Sequence, residues 1–348
     1  MKQSVDRRYC LDYHEIRVGI SYILLHAFVQ ILFIFAPGFR NRTVSTRIRA
    51  NTVLFRNPGA KMKILLYNGA YGCGNFGDDA ILDGVLSLVE KEYEVVVASA
   101  NPEQTSQIWG VNTVHFFGDL PEDYDIWAIW GGLVVYREHI DSLLPLVKNA
   151  LSKGKKLWVR AIGVSADIPT NWTLVTEVFG QAEILTVRDA FSQQTLKNYT
   201  GLDTQLEIDP ARLCRKSETY PIIADKRTVG LNIRDSGDID SYAVAKTVKT
   251  LCEFLNIPLV GIAALVHSFG PKNEMRLLTK LGLEEIIYEP DPRRLKACLH
   301  QLSLLFSGHK HLALAAIQEG VPVIVTGIRT PEIPMIMKQW GIEPLAYL

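Results

Sequence analysis

Met62–Ala80, MKILLYNGAYGCGNFGDDA, is the stretch on which the fold turns. Ile64, Leu65, Leu66 and Tyr67 make a short apolar run of the kind that forms a buried parallel strand. Gly69, Gly72, Gly74 and Gly77 follow, and they supply the positive-φ freedom and close backbone approach of a loop that cradles a ligand. Ile81, Leu82, Val85, Leu86 and Val89 then recur at helical spacing. Strand, glycine loop and helix N-terminus in that order make a ready site for an anion.

Gly72–Gly77 spells a literal G-x-G-x-x-G, which raises a dinucleotide site. Such a site wants an acidic residue at the end of the next strand to bond the ribose. That strand, Tyr93–Ser99, ends at Asn101 without one. Asp78 and Asp79 also stand where a pyrophosphate would meet the helix, and negative charge there stabilises the helix itself. A tight turn between strand and helix with no ligand is the plain alternative.

Outward from this loop, strand-like and helix-like segments alternate: Ile126–Trp130, a helix near Leu143–Ser152, Lys156–Ile162, a helix near Trp172–Phe179, Leu185–Arg188. A charged, turn-rich stretch, Asp209–Asp225, marks a boundary. The alternation restarts with Thr228–Ile233, a helix near Tyr242–Leu255, Leu259–Ala264, a helix near Asn273–Leu281 and Val321–Thr326. This grammar predicts an α/β protein with two doubly wound, Rossmann-like domains, 62–215 and 216–348, whose ligands lie beyond the C-terminal strand ends.

With 37 basic and 37 acidic residues among 348, the chain is no general nucleic-acid binder. The balance hides an asymmetry. Residues 1–61 hold ten Lys or Arg against three Asp or Glu, a charge of +7; the remainder holds 27 against 34. Within that N-terminal extension Val18–Ala36 carries no charge, although His26 and Gln30 make it a poor membrane span. Three readings stand: a helix anchored at or in an anionic membrane, a translation start at Met62, and a packed helix. Cys10, Cys73, Cys214, Cys252 and Cys298 are odd in number and widely spaced, which fits reduced thiols in a cytoplasmic protein.

The glycine loop resembles that of the polysaccharide pyruvyl transferase family, GYYGxGNxGDEA, here Gly69-Ala70-Tyr71-Gly72-Cys73-Gly74-Asn75-Phe76-Gly77-Asp78-Asp79-Ala80. Later segments agree in kind and order. Ile129-Trp130-Gly131-Gly132-Leu133 is similar to the family's GGGL, Leu185–Asp189 to its VRD segment, and Ile208–Ala211 to its D-P-A turn. Val229–Arg234 is similar to the strand opening its second half. Ser307–His311, with Gly320–Ile324 after it, is similar to its RxH motif and GVPVI strand. The resemblance runs from about Met62 to the C-terminus. It implies a GT-B-like pair of domains facing a cleft, and transfer of a pyruvyl group from phosphoenolpyruvate to two sugar hydroxyls, giving a ketal. Phosphoenolpyruvate is then donor substrate and no metal or other cofactor is needed. The implied acceptor is a saccharide of the cell surface, lipid-linked if the N-terminal extension meets the inner face of the membrane.

That chemistry asks for cations on a carboxylate and a phosphate, for protonation of the enol carbon, and for deprotonation of a hydroxyl. The resemblance assigns catalysis to His311 and Arg188, with Arg188 on a donor anion. It points to substrate binding by Gly72, Gly74, Asn75, Gly77, Asp78, Gly131, Gly132, Arg234, His309 and Lys310. Tyr71, Glu138 and His267 are cleft candidates by position alone. Three positions depart from the family. His309 replaces the RxH arginine, and a histidine cannot form a bidentate clamp. Trp130 replaces the first glycine of the triple glycine, and Ala161–Val164 replaces a turn bearing glycine and glutamine; both are expected to narrow or reshape the cleft. Two rivals remain: a GT-B glycosyltransferase holding a nucleotide ribose through Glu319 or Glu332, and a membrane-associated binding protein without activity.

Overall fold

The structure is a computed structural model. It describes residues 61–348 except 69–70, 90, 92, 117, 136, 166–170, 219, 221–226, 235–240, 267–273, 327–345 and 348, and leaves out the side chains of 137–139 and 346–347. Residues 1–60, Gly69, His267, Glu332 and the side chain of Glu138 therefore lie outside the described residues.

The apolar run forms β1 (Lys63–Leu66), and its alternate residues divide between the two faces of a parallel sheet. Leu65 packs with Trp127, Ile129 and Val159 on one face; Ile64 and Leu66 pack with Ile126, Ala128 and Trp130 on the other. Glycine loop and helical spacing become α1 (Phe76–Leu88), which lays Ile81, Leu82 and Val85 on that second face. Then follow β2 (Glu94–Ser99), α2 (Pro102–Trp109), β3 (Asn112–His115), β4 (Ile126–Trp130), β5 (Leu133–Val135), α3 (Arg137–Ser152), β6 (Lys156–Val164), α4 (Trp172–Phe179), β7 (Ile184–Val187), α5 (Ala190–Thr200) and β8 (Gln205–Leu206). The strands lie in the order β3-β2-β1-β4-β6-β7-β8, with β5 beside β6.

The helix expected from Leu143 begins six residues earlier and contains Pro145. Proline costs a helix interior about 3 kcal/mol. Ile140, Leu143, Leu144 and Val147 are at most 1% exposed, and burying each contributes about 1.5–3 kcal/mol, so packing outweighs the proline.

A 3₁₀ turn, Pro210–Leu213, leads into the second half: β9 (Val229–Asn232), α6 (Ser241–Phe254), β10 (Leu259–Ala263), α7 (Glu274–Lys280), β11 (Ile286–Tyr288), α8 (Pro292–Leu299), β12 (Leu304–Ser307), α9 (Lys310–Gln318), β13 (Val323–Val325) and β14 (Ala346–Tyr347). Its parallel sheet runs β11-β10-β9-β12-β13-β14. The two sheets belong to one compact unit, Arg56–Leu348. Phe76 and Ala80 of α1 enter the second half's core beside Leu295 and Leu312. Residues 209–215, expected within a linker, instead pack on α1: a side chain on Gly84 would put its Cβ 1.9 Å from the Pro210 carbonyl oxygen.

A short antiparallel clasp joins the halves. Phe76 N donates to Ala264 O at 2.8 Å and Val266 N to Gly74 O at 2.9 Å, with Asn75 opposite Leu265. Among the described residues no helix is long and apolar enough to cross a membrane.

Candidate active site

The glycine loop is shaped by close contacts. Gly72 and Gly74 adopt φ of +70° and +71°, and a Cβ on Gly72 would lie 2.2 Å from Ser99 Oγ. Asp79, expected as a helix cap, folds back beneath the loop and accepts the Gly72 N–H at 2.9 Å. Burial, with help from nearby Asp78, pushes its carboxyl up to about 8. Gly77 does not use positive φ; it is helical, and its missing Cβ would sit 2.3 Å from His311 Nδ1.

Asn75 caps α1 and ties both halves together. Its Oδ1 accepts from Gly77 N at 3.1 Å and from His309 Nε2 at 3.0 Å, while its Nδ2 donates to Asp78 Oδ2 at 2.6 Å. His309 in turn caps α9, its Nδ1 accepting from Leu312 N at 3.4 Å. One nitrogen accepting and the other donating is the pattern of a neutral imidazole. Burial, reinforced by the charges of Arg234, His311 and Lys310, holds the His309 pKa well below its ordinary value. The residue that replaces the family arginine is thus a 3% exposed, neutral tie between helices and contributes no charge toward an anion.

His311 and Arg188 converge on Asp209. This carboxylate caps the 3₁₀ turn through Oδ1, 3.1 Å from Ala211 N, and its Oδ2 lies 3.4 Å from His311 Nε2 and 3.5 Å from Arg188 Nη1. Burial opposes its ionisation, but the contact with His311 and the charges of Arg188 and Lys310 hold it well below the usual carboxylate range. Burial moves His311 the other way, down to about 4. At neutral pH the pair is therefore ionised Asp209 and neutral His311, with the Nε2 proton toward Asp209 and the Nδ1 lone pair over Gly77.

Arg188 is 1% exposed and lies on Gly163, where a Cβ would stand 2.4 Å from Nη2. Its other ion pair is Asp189 Oδ2 at 3.5 Å; Asp189 caps α5 through Ser192 N at 2.7 Å. Nε and Nη1, the atoms in these two ion pairs, find no hydrogen-bond acceptor among the described residues. A buried guanidinium held by two carboxylates just beyond hydrogen-bond distance is charge-paired but incompletely hydrogen-bonded.

Gly131 and Gly132 form a positive-φ turn over this region. A Cβ on Gly131 would strike Ile81 at 2.4 Å; one on Gly132 would lie 3.7 Å from Asp78 Oδ1. Burial pushes Asp78 up to about 6, against the charges of Arg188 and Lys310, the Asn75 bond, and with a small push from Asp209.

The structure therefore brings Asn75, Gly77, Asp78, Gly131, Gly132, Arg188, His309 and His311 into one constellation, and the charge of Lys310 reaches it. Gly72 and Gly74 shape the loop behind it. Arg234, at the exit of β9, packs against Gly308 and faces Glu274. Trp130 lies in the core with Tyr71 rather than in the cleft, its ring under the Arg160 guanidinium at 3.9 Å. Tyr71, a cleft candidate, is fully buried and donates to Trp130 O at 2.7 Å. Glu319, a ribose candidate, pairs with Lys216 at 2.8 Å and with Lys296 and His300, at the far end of α9. Ala161–Val164, expected as a turn that reshapes the cleft, is the end of strand β6, with Ala161 at φ +49° and buried in the core.

Sequence reasoning missed Glu274. It is 1% exposed, and its Oε2 accepts from Asn232 Nδ2 at 2.6 Å, Ala264 N at 2.7 Å and Leu265 N at 3.0 Å, holding the clasp from the second half. Burial pushes it up to about 7. Its only sequence signal is an acidic residue at a helix start. Among the described residues no group of three or more His, Cys, Asp or Glu could hold a metal ion, and Cys73, Cys214, Cys252 and Cys298 are free thiols.

A sequence model of the polysaccharide pyruvyl transferase family matches residues 75–329, which contain every member of this constellation. The chain belongs to the polysaccharide pyruvyl transferase family. Among proteins of curated function none matches it in sequence. Solved structures similar to it include a putative UDP-N-acetylglucosamine 2-epimerase from Listeria monocytogenes, 15% identical over 77% of this chain and 79% of that one, with a TM-score of 0.54. Another is the UDP-GlcNAc 2-epimerase of Methanocaldococcus jannaschii, 10% identical over 81% and 92%, with a TM-score of 0.50. At such identities the likeness establishes the GT-B-like architecture of this pyruvyl transferase family member and nothing of its substrate.

Proposed function

We propose that this chain transfers the pyruvyl group of phosphoenolpyruvate to two hydroxyls of a saccharide, forming a ketal and releasing phosphate, in the synthesis of a cell-surface polysaccharide. The observation that supports this most is the meeting of Arg188, Asp209 and His311 from three separate elements, in a chain of this family. Arg188 offers a buried positive charge to a carboxylate or phosphate. His311, kept neutral and oriented by Asp209, is the base that takes a hydroxyl proton on Nδ1. With His309 neutral, positive charge for the donor comes from Arg188, Lys310 and Arg234. Residues 1–61, at +7, suit work at the inner face of a membrane on a lipid-linked acceptor; co-sedimentation with anionic but not zwitterionic vesicles is the expected result.

The test is a thermal shift of the full chain with phosphoenolpyruvate, inorganic phosphate and UDP-sugars, since a ligand that binds the folded state raises Tm by mass action. A shift with phosphoenolpyruvate larger than that with phosphate is expected, and Arg188→Ala is expected to abolish it. Arg188→Ala and His311→Ala are each expected to remove activity with the fold retained. A shift with UDP-sugars alone moves the function to glycosyl transfer.

A further inference from the structure

The donor's methylene carbon needs a proton, and the candidate active site holds many ionisable groups, nearly all of them already committed. Asp189 and Asp209 are 1% exposed, cap helical turns and flank Arg188. Asp79 is turned beneath the loop onto Gly72 N, and Glu274 holds the clasp. His309 spends its proton on Asn75, and His311 stands as a base with its proton toward Asp209. Tyr71 is fully buried against Trp130, and Lys310 acts on Asp78 and Asp209 as a positive charge. Burial pushes the Cys73 thiol up to about 12, which makes it too weak an acid.

Asp78 is different in place and in bonding. It keeps partial exposure, it is anchored through Oδ2 by Asn75, and its Oδ1 faces the Gly131-Gly132 turn. Charged groups act on it from each neighbouring element: Arg188 after β7, Lys310 on α9 and Asp209 before the 3₁₀ turn; Asp79 adjoins it on α1. An anionic ligand held by Arg188 and Lys310 brings negative charge against an ionised Asp78, and only the protonated carboxyl can donate to that ligand.

We propose that Asp78 is the acid of this site, taking up a proton as phosphoenolpyruvate binds and delivering it to the donor's methylene carbon. This rests on the pyruvyl transfer proposed above. The carbon–carbon π pair becomes the new C–H bond, the first hydroxyl oxygen bonds to the adjacent carbon, and its proton passes to His311. The carbon–oxygen bond to phosphate then breaks, the electron pair leaving on phosphate, and the second hydroxyl closes the ketal. Of the two hydroxyl protons lost, one replaces the proton that Asp78 gave and the other leaves on phosphate. An acid near 6 holds its proton within about one pH unit of neutrality, as such a role requires.

The test is calorimetric titration of the full chain with phosphoenolpyruvate at pH 7, in two buffers of different ionisation enthalpy, for wild type and Asp78→Asn. Asparagine preserves the acceptor for Asn75 Nδ2; if that variant does not fold, Asp78→Ser serves instead. Wild type is expected to take up close to one proton more per donor bound than the variant, uptake by the ligand's own phosphate being common to both. Its affinity is expected to fall about tenfold per pH unit more steeply than the variant's above pH 7. Equal uptake in both proteins, with binding intact, overturns the role of Asp78 alone. Failure of wild type to bind phosphoenolpyruvate overturns the donor assignment and this inference with it.

Discussion

Of the three aspartates on helix α1, Asp83 and Asp78 make the sharpest contrast. Asp83 is fully buried and receives Arg215 Nη2 at 2.6 Å, Arg215 N at 2.9 Å, Arg215 Nε at 3.2 Å and Trp109 Nε1 at 3.1 Å. Burial alone would raise its pKa, but these donors outweigh it and the carboxyl ends below its ordinary value. Asp78, one and a half turns nearer the N-terminus, has Asn75 as its hydrogen-bond donor and ends well above. Two residues of the same type, on one helix, one fully buried and one partly exposed, move in opposite directions because only the buried one is saturated with donors. A saturated carboxylate holds structure; an under-served one stays ready to exchange a proton.

The largest effects are expected at the saturated end. Gly84→Ala would drive a Cβ into the Pro210 backbone, which cannot step aside as a side chain can, and should cost about 3 kcal/mol or more in urea denaturation. Asp83→Asn should cost about 2–3 kcal/mol in the same experiment, through lost charge-assisted bonds. Gly77→Ala separates stability from function. Alanine gains about 1 kcal/mol of helix propensity, but its Cβ must displace the His311 ring. The unfolding midpoint should therefore stay within about 1 kcal/mol of wild type while turnover falls about 10²-fold.

Asp78→Asn gives a smaller effect and a test of sign. In the folded state Asp78 titrates near 6, above its unfolded value, so the folded protein binds more protons between about pH 4 and 6 and loses stability as pH rises through that window. The variant lacks this loss and should overtake wild type in Tm by pH 7. Asp79 and Glu274 act in the same sense, and His309 and His311, lowered by burial, act oppositely, but all four are common to both proteins. The smallest expected change is Ala161→Gly, which relieves a φ of +49° and should gain less than about 1 kcal/mol. A loss there would mean that the Ala161 Cβ packing in the core outweighs the strain.

The β1-loop-α1 unit was legible because hydrophobic period and glycine spacing agree within twenty residues, although the cap expected of Asp78 or Asp79 is supplied by Asn75. So was the order of the elements carrying site residues. Helices α2 and α8 were passed over for lack of an apolar stripe, although Asn101-Pro102 with Gly110, and Asp291-Pro292, carry the cap and first-turn chemistry of helix starts. What no local pattern conveys is long-range pairing. Arg215 finds Asp83 across 132 positions and His309 finds Asn75 across 234. The cost of removing the family arginine was legible; the tie that stands in its place was not.

The clasp between Gly74–Phe76 and Ala264–Val266, with Phe76 and Ala80 seated in the second half's core, bears on how the chain is born. Helix α1 emerges early from the ribosome, yet strand β13, which completes the core it enters, comes roughly 250 residues later. At the usual pace of translation that is a wait of about 12–50 seconds with an apolar edge uncovered. The first half is accordingly a client for a holding chaperone, and separate expression of either half should yield aggregate, whereas co-expression of both gives each the surface it lacks.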